Sequence, residues 1–127
     1  MAEKTKILIV DDAPMIRALV TGLLETKGYE VLEAEDGEQA LAMHDEHAFF
    51  LSIVDIFLPG KGGLQVIREL LRTRPERHVM AISGGESFDP DSILKLTASL
   101  PIAGTFTKPL DGDKLLAAVE ALPKPSA

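Results

Sequence analysis

Five short apolar segments alternate with five longer helical patterns along this sequence, and the alternation restricts the fold more than any other feature. The first apolar run covers residues 7–10 and stops at an acidic pair. The positions after it recur at the spacing of one helix face, and they are Ile16, Leu19, Val20, Leu23 and Leu24. A strand followed by a helix is therefore the repeating unit of the chain.

The later units follow the same pattern, with strands predicted at about residues 29–34, 49–54, 79–82 and 103–107. The fourth predicted helix carries Ile93, Leu96, Thr97 and Leu100. Strict alternation predicts a parallel sheet with helices on both faces, and near-continuous apolar runs are typical of strands buried on both sides. Because crossovers are right-handed, we expect an α/β, doubly wound, five-stranded parallel sheet of flavodoxin-like order 2-1-3-4-5 with five helices.

Length and composition restrict the class of protein further. The 127 residues fit a single domain, with a core at about residues 6–122 and a tail at residues 123–127. The net charge of −7 argues against direct binding of nucleic acid, whose phosphates the chain would repel. The absence of cysteine excludes disulfides and thiol chemistry. We find no signal peptide and no run of roughly 20 apolar residues, and so expect a cytoplasmic protein without membrane insertion.

Polar residues follow the strands where the strands end. The first strand runs into Asp11 and Asp12, the third ends at Asp55, the fourth at Ser83 and the fifth at Lys108. In open α/β sheets, ligands bind outside the carboxyl ends of the strands, so we expect these side chains to meet. The acidic pair could instead cap a helix, and Asp55 could be a turn residue, but the convergence of all five argues against both alternatives.

Three carboxylates in one crevice require a positive counter-charge. Two of them about 4 Å apart repel by roughly 4 kcal/mol at an effective dielectric of about 20, and one lysine cannot balance three. Mg²⁺ (or Mn²⁺) suits such oxygen ligands, and no thiol or imidazole cluster favours a softer metal. A carboxylate nucleophile, a hard cation, an ammonium and a hydroxyl together indicate phosphoryl transfer through an aspartyl-phosphate.

With these residues in this order, the sequence resembles the receiver domains of bacterial two-component response regulators, of the single-domain type. The similarity covers about residues 6–122. Further matching residues are Leu58-Pro59-Gly60, Gly63, Gly84 and Pro109.

The resemblance implies a role for each acidic residue. Asp55 matches the phosphoacceptor, which also ligates the metal. Asp12 matches a direct Mg²⁺ ligand, and Asp11 matches a residue that often acts through water. The backbone carbonyl of Phe57 matches a further ligand. The resemblance thus predicts a metal site made of three carboxylates and one carbonyl.

The resemblance also covers the end of the fourth and fifth strands. Ser83 matches the hydroxyl residue that moves toward the phosphoryl group, and Lys108 matches the lysine that pairs with it. Lys108-Pro109 resembles the cis peptide of the family. Among the departures from the pattern, Thr105 stands where the family commonly has Tyr or Phe. Phe106 is one residue away and should face the other side of the sheet.

The resemblance implies a stand-alone receiver that takes a phosphoryl group from a histidine kinase or a His-phosphotransfer protein. Such a domain catalyses its own phosphorylation and dephosphorylation rather than acting as an enzyme on other molecules. Its output would pass to an unknown downstream protein through about residues 91–122. The alternative is a receiver fold that serves as an interaction module insensitive to phosphorylation. A haloacid-dehalogenase-like phosphatase fits poorly, because that family places its nucleophile after the first strand.

Two histidines lie outside this site. His44 and His47 are three residues apart in the second helical pattern, with Asp45 and Glu46 between them. Because no third ligand is nearby in the sequence, we expect a solvated helix face here rather than a metal site.

Overall fold

The computed structural model describes residues 4–84 and 98–123. The strands are β1 (Lys6–Val10), β2 (Glu30–Ala34), β3 (Leu51–Asp55), β4 (His78–Gly84) and β5 (Gly104–Lys108). The helices bounded within the described residues are α1 (Pro14–Glu25), α2 (Gly37–Glu46), α3 (Gly63–Thr73) and α4 (Gly112–Ala121). The helix predicted between the fourth and fifth strands falls largely outside the described residues, which include neither Ile93 nor Leu96.

The five strands form one parallel sheet in the order β2-β1-β3-β4-β5, which confirms the predicted topology. The register aligns the carboxyl ends of the strands. Val10 pairs with Ala34 on one side and with Val54 on the other. Asp55 pairs with Ile82. The residues that follow β1 and β3 therefore project from the same edge of the sheet.

Two apolar clusters lie on the two faces of the sheet. Alternate residues of one strand enter different clusters, so that Leu8 and Val10 pack toward α2 and α3, whereas Ile7 and Ile9 pack toward α1 and α4. All four are fully buried. Burying such a side chain contributes about 1.5–3 kcal/mol, and this two-sided burial explains why the strands read as continuous apolar runs.

Local sequence signals set the helix ends. Pro14 begins α1, where its missing N–H leaves no hydrogen bond unmade. Asp111 caps α4, and its carboxylate accepts hydrogen bonds from the backbone N–H groups of Asp113 and Lys114. Of the helices in the described part of the chain, none is both long and apolar enough to cross a membrane.

His44 is buried, so the prediction of a solvated histidine was wrong for this residue. Its Nδ1 lies 3.2 Å from Nη1 of Arg77, and its Nε2 lies 2.7 Å from Oγ of Ser52. Because arginine can only donate, Nδ1 must accept and Nε2 must carry the proton that is donated to Ser52. Burial, together with the charges of Arg74 and Arg77, lowers the pKa of His44 to about 4.

Candidate functional site

Three carboxylates meet at the carboxyl edge of the sheet. One oxygen each from Asp11, Asp12 and Asp55 lies within 4.8 Å of the other two. Asp11 directly follows β1 and Asp55 is the last residue of β3, so neighbouring parallel strands bring them together. Asp11 is fully buried and Asp55 is 2% exposed, whereas Asp12 faces solvent. The structure thus brings the acidic residues together as the sequence predicts.

The carboxylate of Asp55 is held through both oxygens. Its Oδ1 accepts a hydrogen bond of 2.9 Å from the backbone N–H of Phe57, and its Oδ2 accepts one of 3.1 Å from Nζ of Lys108. Burial raises the pKa of Asp55 above its ordinary value, and the charge of Asp11 adds to this effect. The Phe57 N–H and the Lys108 ammonium act in the opposite direction by stabilising the charged form.

Asp11 is oriented by its neighbours as well. Its Oδ1 accepts a hydrogen bond of 2.9 Å from the backbone N–H of Ala13. Its Oδ2 forms an ion pair of 3.0 Å with Nζ of Lys108. That oxygen is buried, and no hydrogen-bond donor within the described residues is aligned with it. A buried carboxylate oxygen of this kind has lone pairs available for a cation.

Lys108 reaches its partners from the edge strand β5, which is two strands away from Asp55 in β3. β4 lies between β5 and β3, and strands are about 4.8 Å apart, so the side chains of Lys108 and Asp55 together bridge the roughly 10 Å between their strands. Its side chain is 24% exposed. Burial alone would lower the pKa of Lys108, but its close contacts and charge interactions with Asp11 and Asp55 outweigh burial and raise that pKa. Lys108 is therefore a cation in this site.

The charge and the ligand atoms of the site fit Mg²⁺. Three carboxylates against one ammonium leave two negative charges, which one divalent cation balances. Mg²⁺ binds oxygen at about 2.1 Å, so two of its ligands are at most about 4.2 Å apart. The three carboxylate oxygens lie within 4.8 Å of one another, and the exposed Asp12 has room to move closer to the two buried ones.

Ser83 and Phe57 lie at the same edge of the sheet, whereas Thr105 and Phe106 lie within β5. Ser83 follows Ile82 in β4 and is buried. The Phe57 N–H binds Asp55, while its carbonyl as a metal ligand stays a prediction. Thr105 pairs with Ala81, and Phe106 pairs with Ile82 and packs into the cluster on the α1 and α4 face. The expectation that Phe106 faces the other side of the sheet is therefore confirmed.

Two kinds of contact at this site were not predicted from the sequence. The backbone N–H groups of Ala13 and Phe57 orient the two buried carboxylates, and each lies two residues after the aspartate it binds. Aspartate side chains often accept a hydrogen bond from the backbone N–H two residues later, so these two contacts could have been expected. Arg17 donates from Nη1 to the backbone carbonyl of Asp11 at 2.8 Å. No sequence signal marks this contact, because its acceptor belongs to the backbone.

Comparison with known proteins places the chain among similar sequences and structures. A family model described as the response regulator receiver domain matches residues 7–120. The transcriptional regulatory protein CpxR of Klebsiella pneumoniae is 35% identical over 119 residues, which cover 92% of this chain and 48% of CpxR. The CAI-1 autoinducer sensor kinase/phosphatase CqsS of Vibrio cholerae is 34% identical over 116 residues, which cover 91% of this chain and 17% of CqsS.

A solved structure agrees with these sequence matches. The receiver domain of NtrX from Brucella abortus superposes with a TM-score of 0.82 at 33% identity. The superposition covers 90% of this chain and 94% of that domain. The chain therefore has about the length of an isolated domain, but it spans less than half of CpxR and of CqsS.

Proposed function

Because the chain belongs to the response regulator receiver family, we propose that it is a phospho-switch whose Asp55 accepts a phosphoryl group in a Mg²⁺-dependent reaction. The observation that carries this proposal is the geometry of Asp55. A buried carboxylate, fixed by the Phe57 N–H and by Lys108, lies beside two further carboxylates at an open edge of the sheet. A carboxylate in such a setting is an oriented nucleophile.

In the proposed reaction an oxygen of Asp55 attacks the phosphorus of the donor. The new bond joins that oxygen to phosphorus, while the bond from phosphorus to the donor nitrogen or oxygen breaks and the donor leaves with the electron pair. Lys108 then transfers its hydrogen bond from Asp55 to a phosphoryl oxygen. The hydroxyl of Ser83 donates to another. Lys108 already contacts Asp55 before the reaction, so that little reorganisation of this donor accompanies the appearance of charge.

Asp11, Asp12, Asp55 and the Phe57 carbonyl would hold the cation. Bound Mg²⁺ would supply positive charge next to the phosphoryl oxygens and screen the three carboxylates from one another. Asp11 contributes the buried oxygen without an aligned donor, and Asp12 contributes a solvent-exposed carboxylate. The neighbours of Asp11 in the chain orient its other oxygen, so the cation would meet a partly preformed site.

The proposed phosphodonor is a histidine kinase or a His-phosphotransfer protein. Met15 and Leu19 are the large apolar side chains most exposed to solvent in the described part of the chain, at 84% and 44%. They are four residues apart on α1, which begins just after Asp12, so they form an apolar surface beside the acceptor site. A partner helix that packs on this surface would bring its phosphohistidine close to Asp55. The CqsS relative has the name of a sensor kinase/phosphatase.

The output is proposed to pass to another protein through residues 91–122, of which residues 98–122 are described. In this proposal the chain acts as a stand-alone receiver that signals through protein–protein contacts. The competing function is an interaction module that keeps the fold and ignores phosphate. The presence of Asp11, Asp12, Asp55, Ser83 and Lys108 at one sheet edge favours the phospho-switch over it.

Intact mass after incubation with a small phosphoramidate or acyl-phosphate donor tests the proposal. We expect one added phosphoryl group in the wild type with Mg²⁺, and none without metal or in Asp55→Ala. If the adduct is absent, beryllofluoride with Mg²⁺ tests whether it forms and decays too quickly to be seen. A wild type that shows neither the adduct nor beryllofluoride binding would support the phosphate-insensitive module instead.

A further inference from the structure

Arg17 connects the acidic pair to the neighbouring edge strand. Its Nη1 donates a hydrogen bond of 2.8 Å to the backbone carbonyl of Asp11, and its Nε donates one of 3.1 Å to Oε1 of Glu33 in β2. Thr21, one turn further along α1, donates to the other oxygen of Glu33 at 3.3 Å. The Arg17 side chain is only 16% exposed. It is thus the central member of a network that joins α1, β2 and the turn after β1.

This network fixes the peptide from which Asp12 projects. The N–H of Asp11 donates to the carbonyl of Ala34 at 3.1 Å, and the carbonyl of Asp11 accepts from Arg17. That carbonyl and the N–H of Asp12 belong to one planar peptide unit, so the bond from Arg17 also sets the direction in which Asp12 leaves the turn. Asp12 itself faces solvent, and the backbone is therefore the part of this residue that the fold can hold in place.

Arginine suits this position because its guanidinium presents several donors in one rigid plane. Two of them are used at once, toward a carbonyl on one side and a carboxylate on the other. A lysine could satisfy only one of these acceptors with good geometry. The ion pair with Glu33 is partly exposed and contributes little stability by itself, which leaves orientation of the turn as the main consequence of the contact.

We propose that Arg17 is a positioning residue that orients the Asp11–Asp12 turn for the divalent cation, without touching the cation itself. The inference rests on the Mg²⁺ site of the proposed function. Partners that hold metal ligands in place typically change metal affinity by 10–100-fold when they are removed. Charge alone has the opposite effect, because deleting a nearby cation makes the site more negative and favours Mg²⁺. Weaker binding after loss of Arg17 would therefore indicate geometry.

A Mg²⁺ titration of the unphosphorylated protein tests this inference. The rise in Tm with Mg²⁺ concentration gives the affinity, and the amide NMR shifts of Asp12 and Ala13 report the turn directly. We expect Arg17→Met to weaken Mg²⁺ binding about tenfold or more. Arg17→Lys should recover part of the loss. The matched control is Arg72→Met, since Arg72 is an exposed arginine of α3 that pairs only loosely with Glu69 at 3.9 Å. This control should bind Mg²⁺ like the wild type.

Unchanged or tighter Mg²⁺ binding in Arg17→Met would overturn the inference while leaving the proposed function intact. If Arg17→Met does not fold, Arg17→Lys provides the test, because a twofold or larger loss of affinity in a folded charge-preserving variant still requires geometry. A wild type that neither responds to Mg²⁺ nor forms the phosphoryl adduct would overturn the proposed function and this inference together. The wild-type titration therefore separates the two failures.

Discussion

Lys108 passes over Gly84 on its way to the carboxylates, and a Cβ atom on that glycine would lie 3.4 Å from Cδ of Lys108. Gly84 pairs with Lys108 across β4 and β5. A single methyl group would make ordinary van der Waals contact with the lysine, whereas a branched side chain would occupy its path. Gly84, which has no side chain, thus stands at the point where the lysine crosses β4.

We expect Gly84→Val to slow phosphorylation of Asp55 by about tenfold or more, because the displaced ammonium no longer reaches Asp55, and one charge-assisted hydrogen bond is worth about 1.5–3 kcal/mol. The matched variant Gly84→Ala should remain close to wild type. Phosphorylation rates with a small phosphoramidate donor, followed by intact mass, measure both. Equal rates in all three proteins would show that the path of Lys108 does not depend on this position.

Gly63 should be intolerant of any side chain. A Cβ atom there would approach the backbone carbonyl of Asp55 and stand 2.6 Å from Cα of Ile56, and backbone atoms cannot turn aside as a side chain can. We expect Gly63→Ala to lower the free energy of unfolding by about 1–3 kcal/mol, the usual cost of overpacking. Urea unfolding measures the change.

Gly22 offers the control for Gly63. It lies inside α1, and a Cβ atom there would meet nothing within 4 Å. We expect Gly22→Ala to raise the free energy of unfolding by about 0.5–1 kcal/mol, because alanine loses less conformational freedom in a helix. Destabilisation of both variants to the same extent would refute the argument from close packing at Gly63.

His44 should make the protein less stable in mild acid. Its pKa is about 4 in the folded protein against 6.5 for the ordinary side chain, so the unfolded chain binds the proton more readily. The neutral His44 therefore contributes to the free energy of unfolding in full above about pH 7. This contribution decreases as the pH falls below 6.5 and is lost near pH 4. The difference between the two pKa values corresponds to about 3 kcal/mol at most.

Urea unfolding between pH 4 and 7 of wild type and His44→Gln measures this effect. Glutamine can donate to Ser52 and accept from Arg77 but does not titrate, so the difference between the two proteins isolates the histidine. We expect the wild type to lose more stability than the variant across this range. Parallel curves would mean that His44 titrates alike in the folded and unfolded chains.

A substitution on the exposed apolar surface of α1 should slow phosphoryl transfer from a protein donor but not from a small-molecule donor. We expect Met15→Glu to reduce transfer from the cognate His-phosphotransfer protein several-fold, because the charge prevents apolar packing at a residue that is 84% exposed. The rate with a small phosphoramidate donor should stay unchanged, which serves as the internal control. Equal slowing with both donors would instead indicate damage to the acceptor site.

The sheet and the position of the site were predictable because they follow from periodicity. Apolar runs that end in Asp11, Asp55 and Lys108 place those residues at the carboxyl edge as soon as the strands are known to be parallel. The environment of His44 was not predictable. Its spacing in α2 matched an exposed face, and its partners Ser52 and Arg77 are joined to it only by the packing of α2 on the sheet.

The contacts of Arg17 could not be predicted from the sequence for a related reason. Its acceptors are a backbone carbonyl and a carboxylate on an edge strand, and neither is signalled by residues near it in the sequence. The face on which Phe106 packs was predictable, since strand residues alternate strictly between the two sides of a sheet. Periodicity therefore located the carboxylates and the lysine, while the residues that hold the carboxylates in place became visible only with the packing.

The position of Lys108 in the last strand has a consequence for the order in which the site is assembled during synthesis on the ribosome. The carboxylates belong to the first half of the chain, whereas the ammonium that pairs with Asp11 and Asp55 arrives with β5, the last strand. A nascent chain that emerges from its N-terminus first exposes the acidic residues long before the lysine is made. Until β5 docks, the two buried aspartates have no ammonium between them. The charge pairing of this site is therefore completed late in synthesis, and a truncated product that lacks β5 has the carboxylates without their ammonium.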